Sequence, residues 1–117
     1  MNKIDLAWVA GFWEGEGSIG CYNAKASKSY QFVVTFTQKN RLILEWLKKH
    51  FGGSIGYKVD NNSHYWSLCL SKANAIHCIE LLRPYIKMPR RLRQIKRAYD
   101  NMAKMKKRIQ WNSVENR

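Results

Sequence analysis

The sequence is poor in the residues that mark secreted, zinc-binding and membrane proteins. Its three cysteines, Cys21, Cys69 and Cys78, have no CxxC spacing, and its three histidines are isolated from one another. An odd number of unpaired cysteines indicates buried or neutral thiols in a reducing compartment, and isolated histidines do not form a zinc site. No apolar run approaches the roughly 18 residues of a membrane helix, and the N-terminus lacks the apolar segment of a signal peptide. We therefore expect an intracellular protein.

Acidic residues are also scarce. The 117 residues include 8 Asp+Glu against 21 Lys+Arg, which gives a formal net charge of +13 and a pI near 10.0. Hydrophobic residues make up 45% of the chain, which is enough to build the core of one domain. Because self-repulsion at this charge opposes compaction, a polyanionic partner is indicated, with nucleic acid first and an anionic membrane second.

The positive charge is concentrated near the C-terminus. Residues 83–108 contain 11 of the basic residues and one acid, whereas residues 1–82 contain 9 bases and 6 acids. We predict one domain over residues 1–108, with a basic helix at residues 91–108, and a neutral tail at residues 109–117. The strongest field belongs to that helix, so catalytic residues should be sought elsewhere.

Local patterns predict alternating helices and strands. Residues 30–38, YQFVVTFTQ, are β-branched or aromatic nearly throughout and form the clearest strand. Asp5, Asn40 and Ser71 are candidate N-caps. The predicted order is a helix at 6–14, strands at 19–24 and 30–38, a helix at 41–51, a hairpin at 54–59 and 64–70, and a helix from 72 to about 82. An antiparallel sheet with helices on one face is an α+β fold.

One segment, residues 6–19, reads LAWVAGFWEGEGSI and begins with an unusual helix. Ala7, Ala10 and Gly11 place small residues on one side of it. Small side chains allow a second helix to approach backbone to backbone.

The same segment ends in two acids that are placed unfavourably. Glu14 and Glu16 lie at the helix C-terminus, where a negative charge opposes the helix dipole, and glycines flank Glu16 on both sides. Such a turn offers carboxylate and carbonyl oxygens, which are the ligands that Mg²⁺ prefers. The alternative is that both acids are solvated turn residues.

The motif VAGFWEGEGSI resembles that of the LAGLIDADG homing endonucleases. The strand VTFTQKN, the FGG that precedes the hairpin and the LLRPYIK that precedes the basic helix occur in the order typical of that family, over about residues 4–100. The resemblance implies an αββαββα fold whose saddle-shaped antiparallel sheet lies along the DNA major groove. With one motif per chain, it also implies a homodimer in which two motif helices pack together on a near-palindromic target.

The resemblance also implies roles for individual residues. Glu16 and the carbonyl of Gly15 match metal ligands, for Mg²⁺ with Mn²⁺ as a substitute. Gln38 matches a residue that positions water. A basic active-site residue is expected near the start of the last helix, and both Lys87 and Arg91 remain candidates for it. The dimer interface is expected to contain Ala7, Ala10, Gly11 and Glu14.

Strand parity predicts which side chains face DNA. If Phe32, Val34 and Phe36 face the core, the alternate residues face the groove. The predicted DNA-binding residues are Tyr22, Ala24, Lys25, Lys28, Gln31, Val33, Thr35, Thr37, Lys58, Tyr65 and Ser67. The alternative is a sheet face that is merely solvated.

The resemblance therefore implies an Mg²⁺-dependent, site-specific double-strand DNA endonuclease of the intron-homing kind. We expect no membrane partner and no organic cofactor. The alternative is a protein of the same fold that binds nucleic acid without cutting it, as an RNA maturase or a transcription regulator would.

Overall fold

Helices and strands follow one another in the order that the sequence predicts. The computed structural model describes residues 1–23 and 29–115, with side chains up to residue 109. The elements are α1 (Lys3–Glu16), β1 (Gly17–Asn23), β2 (Tyr30–Gln38), α2 (Arg41–Phe51), β3 (Ser54–Asp60), β4 (Ser63–Ser71), α3 (Lys72–Leu82) and α4 (Pro89–Glu115), with a 3₁₀ turn, Arg83–Tyr85, between the last two. The predicted α+β class and αββαββα order, with a basic helix after them, are confirmed.

The four strands form one antiparallel sheet. Their order is β1-β2-β4-β3, so β2 and β4 are central and β1 and β3 are the edges. Ile19 lies opposite Val34, and Phe36 lies opposite Leu68. Because side chains opposite each other in a register point to the same face, this pairing gathers the apolar residues on one side of the sheet.

The core lies between that face and the helices. The strands contribute five fully buried side chains, namely Phe32, Val34, Phe36, Leu68 and Leu70. The first three helices contribute Val9, Trp13, Leu44, Leu47, Ala75 and Ile79, which are also fully buried. The predicted strand parity, with the even residues of β2 inward, is therefore correct.

Two helices, α1 and α4, extend beyond their predicted bounds at both ends. Asn2, rather than Asp5, caps α1, because its side-chain oxygen accepts the backbone N–H of Asp5 at 2.8 Å. The last helix begins at Pro89 and continues past Arg108 to Glu115. Proline suits the first turn of a helix because its missing N–H would have no partner there. The segment after Arg108 thus extends the basic helix over residues where we predicted a separate tail.

α4 covers the β1 edge of the sheet and runs alongside it. Arg91 Nη2 donates to the carbonyl of Gly17 at 2.9 Å, and Cys21 Sγ lies 3.8 Å from Met105 Sδ. The two elements therefore run in the same direction, and Ile95 of α4 is fully buried as part of the hydrophobic core. Among the described helices, including this long basic one, none has the length and apolar character needed to cross a bilayer.

Candidate functional site

The C-terminus of α1 runs directly into β1, and most of its last carbonyl groups have hydrogen-bond partners. The Trp13 carbonyl accepts the N–H of Gly17, and the Glu16 carbonyl accepts the hydroxyl of Thr37 at 2.9 Å. Arg91 Nε donates to the Glu14 carbonyl at 3.0 Å. Among the described residues, no donor is bonded to the carbonyl of Gly15. One helix-end oxygen is thus left available for a ligand.

The Glu16 side chain is exposed beside that carbonyl and opens onto a cavity. The cavity has a volume of about 540 Å³, and its lining includes Gln38 and Lys39 at the end of β2. The remaining lining comes from Thr37 and the β3–β4 hairpin, through Asp60, Asn61, Ser63 and Tyr65. The structure therefore brings together Glu16 and Gln38, which are far apart in the sequence.

A divalent cation fits this set of donors. The Glu16 carboxylate and the Gly15 carbonyl are hard oxygen ligands of the kind that Mg²⁺ takes, together with water and substrate phosphate. In the part of the chain that the structure describes, no three His, Cys, Asp or Glu side chains form a metal-binding group. Besides Glu16 and the Gly15 carbonyl, a cation at this turn would therefore need further ligands from water, from the substrate or from a second copy of the chain.

Glu14 is buried in its own chain, whereas a residue of the dimer interface would have to be exposed there. Its side chain is only 9% exposed. The carboxylate accepts the backbone N–H groups of Lys87 and Met88 at 3.1 and 2.9 Å. The dimer-interface prediction is corrected here, because this acid ties the segment before α4 to α1 within one chain.

Arg91 is also committed to the fold. Besides its bonds to the carbonyls of Glu14 and Gly17, its Nη1 donates to Gln94, and its guanidinium lies 4.9 Å from the centre of the Trp13 ring. Burial lowers the pKa of Arg91, and the neighbouring positive charge of Arg90 lowers it further. Each of its three nitrogens donates to a protein acceptor, and Arg91 is not among the residues that line the cavity at Glu16, so the fold holds it away from that cavity.

Two other basic residues, Lys87 and Lys39, differ in whether they line this cavity. The Lys87 side chain is exposed and does not line the cavity, whereas Lys39 does. Lys39 was not among the predicted active-site residues, although it directly follows Gln38 in the sequence. The cavity is thus lined by two carboxylates, Glu16 and Asp60, by the amides of Gln38 and Asn61, and by the ammonium group of Lys39.

The exposed face of α1 is narrower than predicted. Ala10 is fully buried in the core of its own chain, so its assignment to the dimer interface is wrong. Ala7 and Gly11 are exposed, as are Ile4, Trp8 and Gly15 on the same side of the helix. A Cβ built at Gly11 would meet no heavy atom within 4 Å. We call these five exposed residues the α1 face.

The sheet face away from the helices carries most of the predicted DNA contacts. Tyr22 lies opposite Gln31, and Thr37 opposite Ser67. Val33, Thr35, Lys58 and Tyr65 occupy the same face by strand parity. Ser18 also lies there and hydrogen-bonds Thr35. We call this surface the outer sheet face. Ala24, Lys25 and Lys28 were predicted for it but lie outside the described residues.

The fold, together with the acidic, glycine-rich turn between α1 and β1, defines a class of protein. The family model for LAGLIDADG endonucleases matches residues 9–106. The chain therefore belongs to the LAGLIDADG homing endonuclease family, and the resemblance inferred from the sequence is confirmed.

The similar proteins include enzymes of that family. The intron-encoded DNA endonuclease ai2b of Dictyostelium discoideum is 30% identical over 95 residues, which are 81% of this chain and 36% of that protein. The chain thus spans about a third of the length of this curated relative. The homing endonuclease I-CvuI, solved with its target and calcium, aligns over 89% of this chain and 67% of its own, with 22% identity and a TM-score of 0.64. I-LtrWI, bound to target DNA, aligns over 92% and 39%, with 20% identity and a TM-score of 0.66.

Proposed function

We propose that this protein is a site-specific double-strand DNA endonuclease that acts as a homodimer with Mg²⁺, which Mn²⁺ can replace. The observation that carries the proposal is the exposed Glu16 carboxylate next to the available Gly15 carbonyl, in one cavity with Gln38. If the turn were merely solvated, there would be no reason for it to share a cavity with Gln38, or for hydrogen bonds from Arg91 and Thr37 to hold it in place. The intron-encoded relative supports a role in intron homing.

The homodimer is supported by the α1 face. Ala7 and Gly11 present little side-chain volume, so two α1 helices could pack closely across a two-fold axis. The C-terminus of each helix would then bring its Glu16 towards the other. Two such carboxylates near the axis would face two scissile phosphates, and the two-fold symmetry favours a near-palindromic target.

The cavity residues supply the chemistry around the metal. Glu16 and the Gly15 carbonyl would hold Mg²⁺, which when bound would stabilise charge on the phosphate and lower the pKa of water. Gln38 Oε1 accepts the N–H of Lys39 at 2.8 Å, so its NH₂ group remains available to orient a water molecule. The Lys39 ammonium would balance phosphate charge, a role for which the exposed Lys87 is the alternative.

The outer sheet face would read the sequence in the major groove. Glutamine can bond adenine through two atoms, and threonine can hydrogen-bond a base or contact the thymine methyl group. Gln31, Thr35 and Thr37 supply these groups on β2. Lys58 on the neighbouring hairpin is suited to phosphates, which position the protein without reading sequence.

The test replaces the proposed metal ligand without changing its shape. Glu16→Gln should abolish cleavage of a duplex library in Mg²⁺ while leaving duplex affinity within about threefold, because only the carboxylate charge is removed. Glu45→Gln, an equally conservative change on the exposed side of α2, should cut normally. Full cleavage by the Glu16 variant would refute the assigned role of this carboxylate.

One observation favours the non-cleaving alternative. Arg91, which stood as a basic active-site candidate, is held by the protein's own carbonyls. An RNA maturase or a transcription regulator would not need a basic group at the scissile phosphate. Tight binding of duplex DNA by the wild-type protein, with no cutting in either Mg²⁺ or Mn²⁺, would establish this alternative.

A further inference from the structure

α4 carries a continuous polar stripe beside the outer sheet face. Successive residues three or four apart lie on one side of a helix. Six positions at this spacing form what we call the α4 stripe: Arg90, Gln94, Arg97, Asn101, Lys104 and Arg108. Every member is polar, and four members are cationic.

The position of this stripe follows from what its middle residues contact. A cavity of about 270 Å³ spans the β1 edge, and its lining includes Arg91, Ala98 and the inward-facing Ile19 and Cys21. The rest of the lining is Gln94, Arg97 and Asn101 from the stripe, and Ser18, Gly20 and Tyr22 from β1. The three β1 residues belong to the outer sheet face, because they pair with Thr35, Val33 and Gln31. The stripe therefore flanks the outer sheet face along its β1 edge.

The other sides of α4 are occupied differently. Ile95, Ala98 and Met102 are buried against the core. Tyr99 faces the helix layer, where its hydroxyl donates to Glu80 of α3 at 2.6 Å. Over residues 89–109, for which side chains are described, only the stripe side of α4 thus adjoins the surface that the proposed function assigns to DNA.

The charges of the stripe are available to a partner. Among the described residues, the ion pairs join Arg41 to Glu45, Arg83 to Glu80 and Lys96 to Asp100, and none involves the stripe. Arg90, Arg97, Lys104 and Arg108 are all exposed. At about 1.5 Å rise per residue, the stripe extends for about 27 Å, so its cations could meet a run of phosphates.

We infer that the α4 stripe binds the phosphate backbone of the duplex whose groove is occupied by the outer sheet face. This inference rests on the proposed function and adds a second contact surface to it. The N-terminal end of the stripe is fixed near the catalytic turn, because Arg91 bonds the carbonyl of Gly17. From there the stripe follows β1 away from the turn and would hold the DNA strand next to that edge.

Two variants of equal charge test the inference. Arg97→Gln with Lys104→Gln removes two positive charges from the stripe, and Lys106→Gln with Lys107→Gln removes two from other sides of the same helix. Affinity for a labelled duplex of random sequence is measured over a range of salt concentrations in Ca²⁺. Each lost phosphate contact should reduce the slope of log K against log salt by about 0.9, so the stripe variant should lose about 2 per protomer and the control close to none.

The outcomes separate the two proposals. Equal losses in both variants would mean that only net charge matters, and unchanged slopes in both would mean that α4 does not contact DNA, so either result overturns the inference alone. A wild-type protein that binds no duplex would overturn the proposed function and the inference together. Thermal unfolding of both variants, with midpoints near that of the wild type, would confirm that the exposed substitutions leave the fold intact.

Discussion

The α1 face allows a test in which assembly and folding are separated. In Gly11→Leu, the new side chain begins in open space, because a Cβ at this position meets nothing within 4 Å. Leucine also favours the helix over glycine by about 0.8 kcal/mol. The single chain should therefore fold at least as well as the wild type.

The proposed dimer should respond in the opposite way. If two α1 helices meet at Gly11, each added leucine overpacks the contact at a cost of about 1–3 kcal/mol. Two copies near the axis would cost about 2–6 kcal/mol, which weakens the dimer by roughly 30-fold to 20,000-fold. Sedimentation equilibrium should show a dimer for the wild type and a monomer for the variant at the same concentration.

Thermal unfolding adds a second readout to this test. A protein that is stabilised by dimerisation unfolds at a higher temperature when it is more concentrated. The wild type should show this dependence and Gly11→Leu should not. Ala103→Leu, which adds exposed bulk to α4, should behave as the wild type does. A Gly11 variant that keeps the wild-type dimer affinity would refute helix-to-helix packing at this face, as would a monomeric wild type.

Three further predictions follow from the interior of the fold. Arg91→Lys should destabilise the protein to urea by about 1–3 kcal/mol, because lysine cannot reach both carbonyls and this is the cost of one unpaired buried acceptor. Gly17→Ala should also lower the unfolding midpoint, because a Cβ there would overlap the buried ring of Trp13. Burial raises the pKa of the Cys78 thiol from 9.0 to about 12. The folded state therefore holds more protons between these values, so stability should fall as pH rises from 9 to 12, and Cys78→Ala should reduce that slope.

Each of these predictions has an outcome that would contradict it. Arg91→Lys with unchanged urea stability but no cleavage would return Arg91 to the catalytic residues. A Gly17→Ala protein as stable as the wild type would mean that the turn can shift away from Trp13. For Cys78, an identical pH dependence in the alanine variant would show that this thiol does not contribute.

Strand parity was predictable because it is a local property. In β2, large apolar residues alternate with glutamine, valine and threonine. Because side chains in a strand point alternately to the two faces, this pattern separates the core-facing residues from the outward-facing ones. The buried Phe32, Val34 and Phe36 bear this out. The Asn40 cap of α2 is equally local, and its side-chain oxygen accepts the N–H of Leu42 at 2.9 Å.

The roles of Ala10 and Arg91 could not be predicted in this way. Ala10 and Gly11 are both small and adjacent, but consecutive residues point about 100° apart on a helix, so one faces the core and the other is exposed. Arg91 lies in a basic segment, where charge suggests phosphate binding. Its actual acceptors are the carbonyls of Glu14 and Gly17, which the sequence places far away and the fold brings close.

The hydroxyl of Thr37 is bonded to the Glu16 carbonyl, so the distance of each β2 residue from the proposed metal ligand is fixed by its position in the strand. A strand rises about 3.3 Å per residue, and B-DNA rises about 3.4 Å per base pair, so the two scales nearly coincide. With the sheet lying along the groove, Thr37 would address the innermost base pairs, and Gln31 would address those about six base pairs further out. Each outward-facing side chain would then contact base pairs at its own fixed distance from the cut. Because these side chains recur at every second residue, a single substitution would alter target preference over about two base pairs.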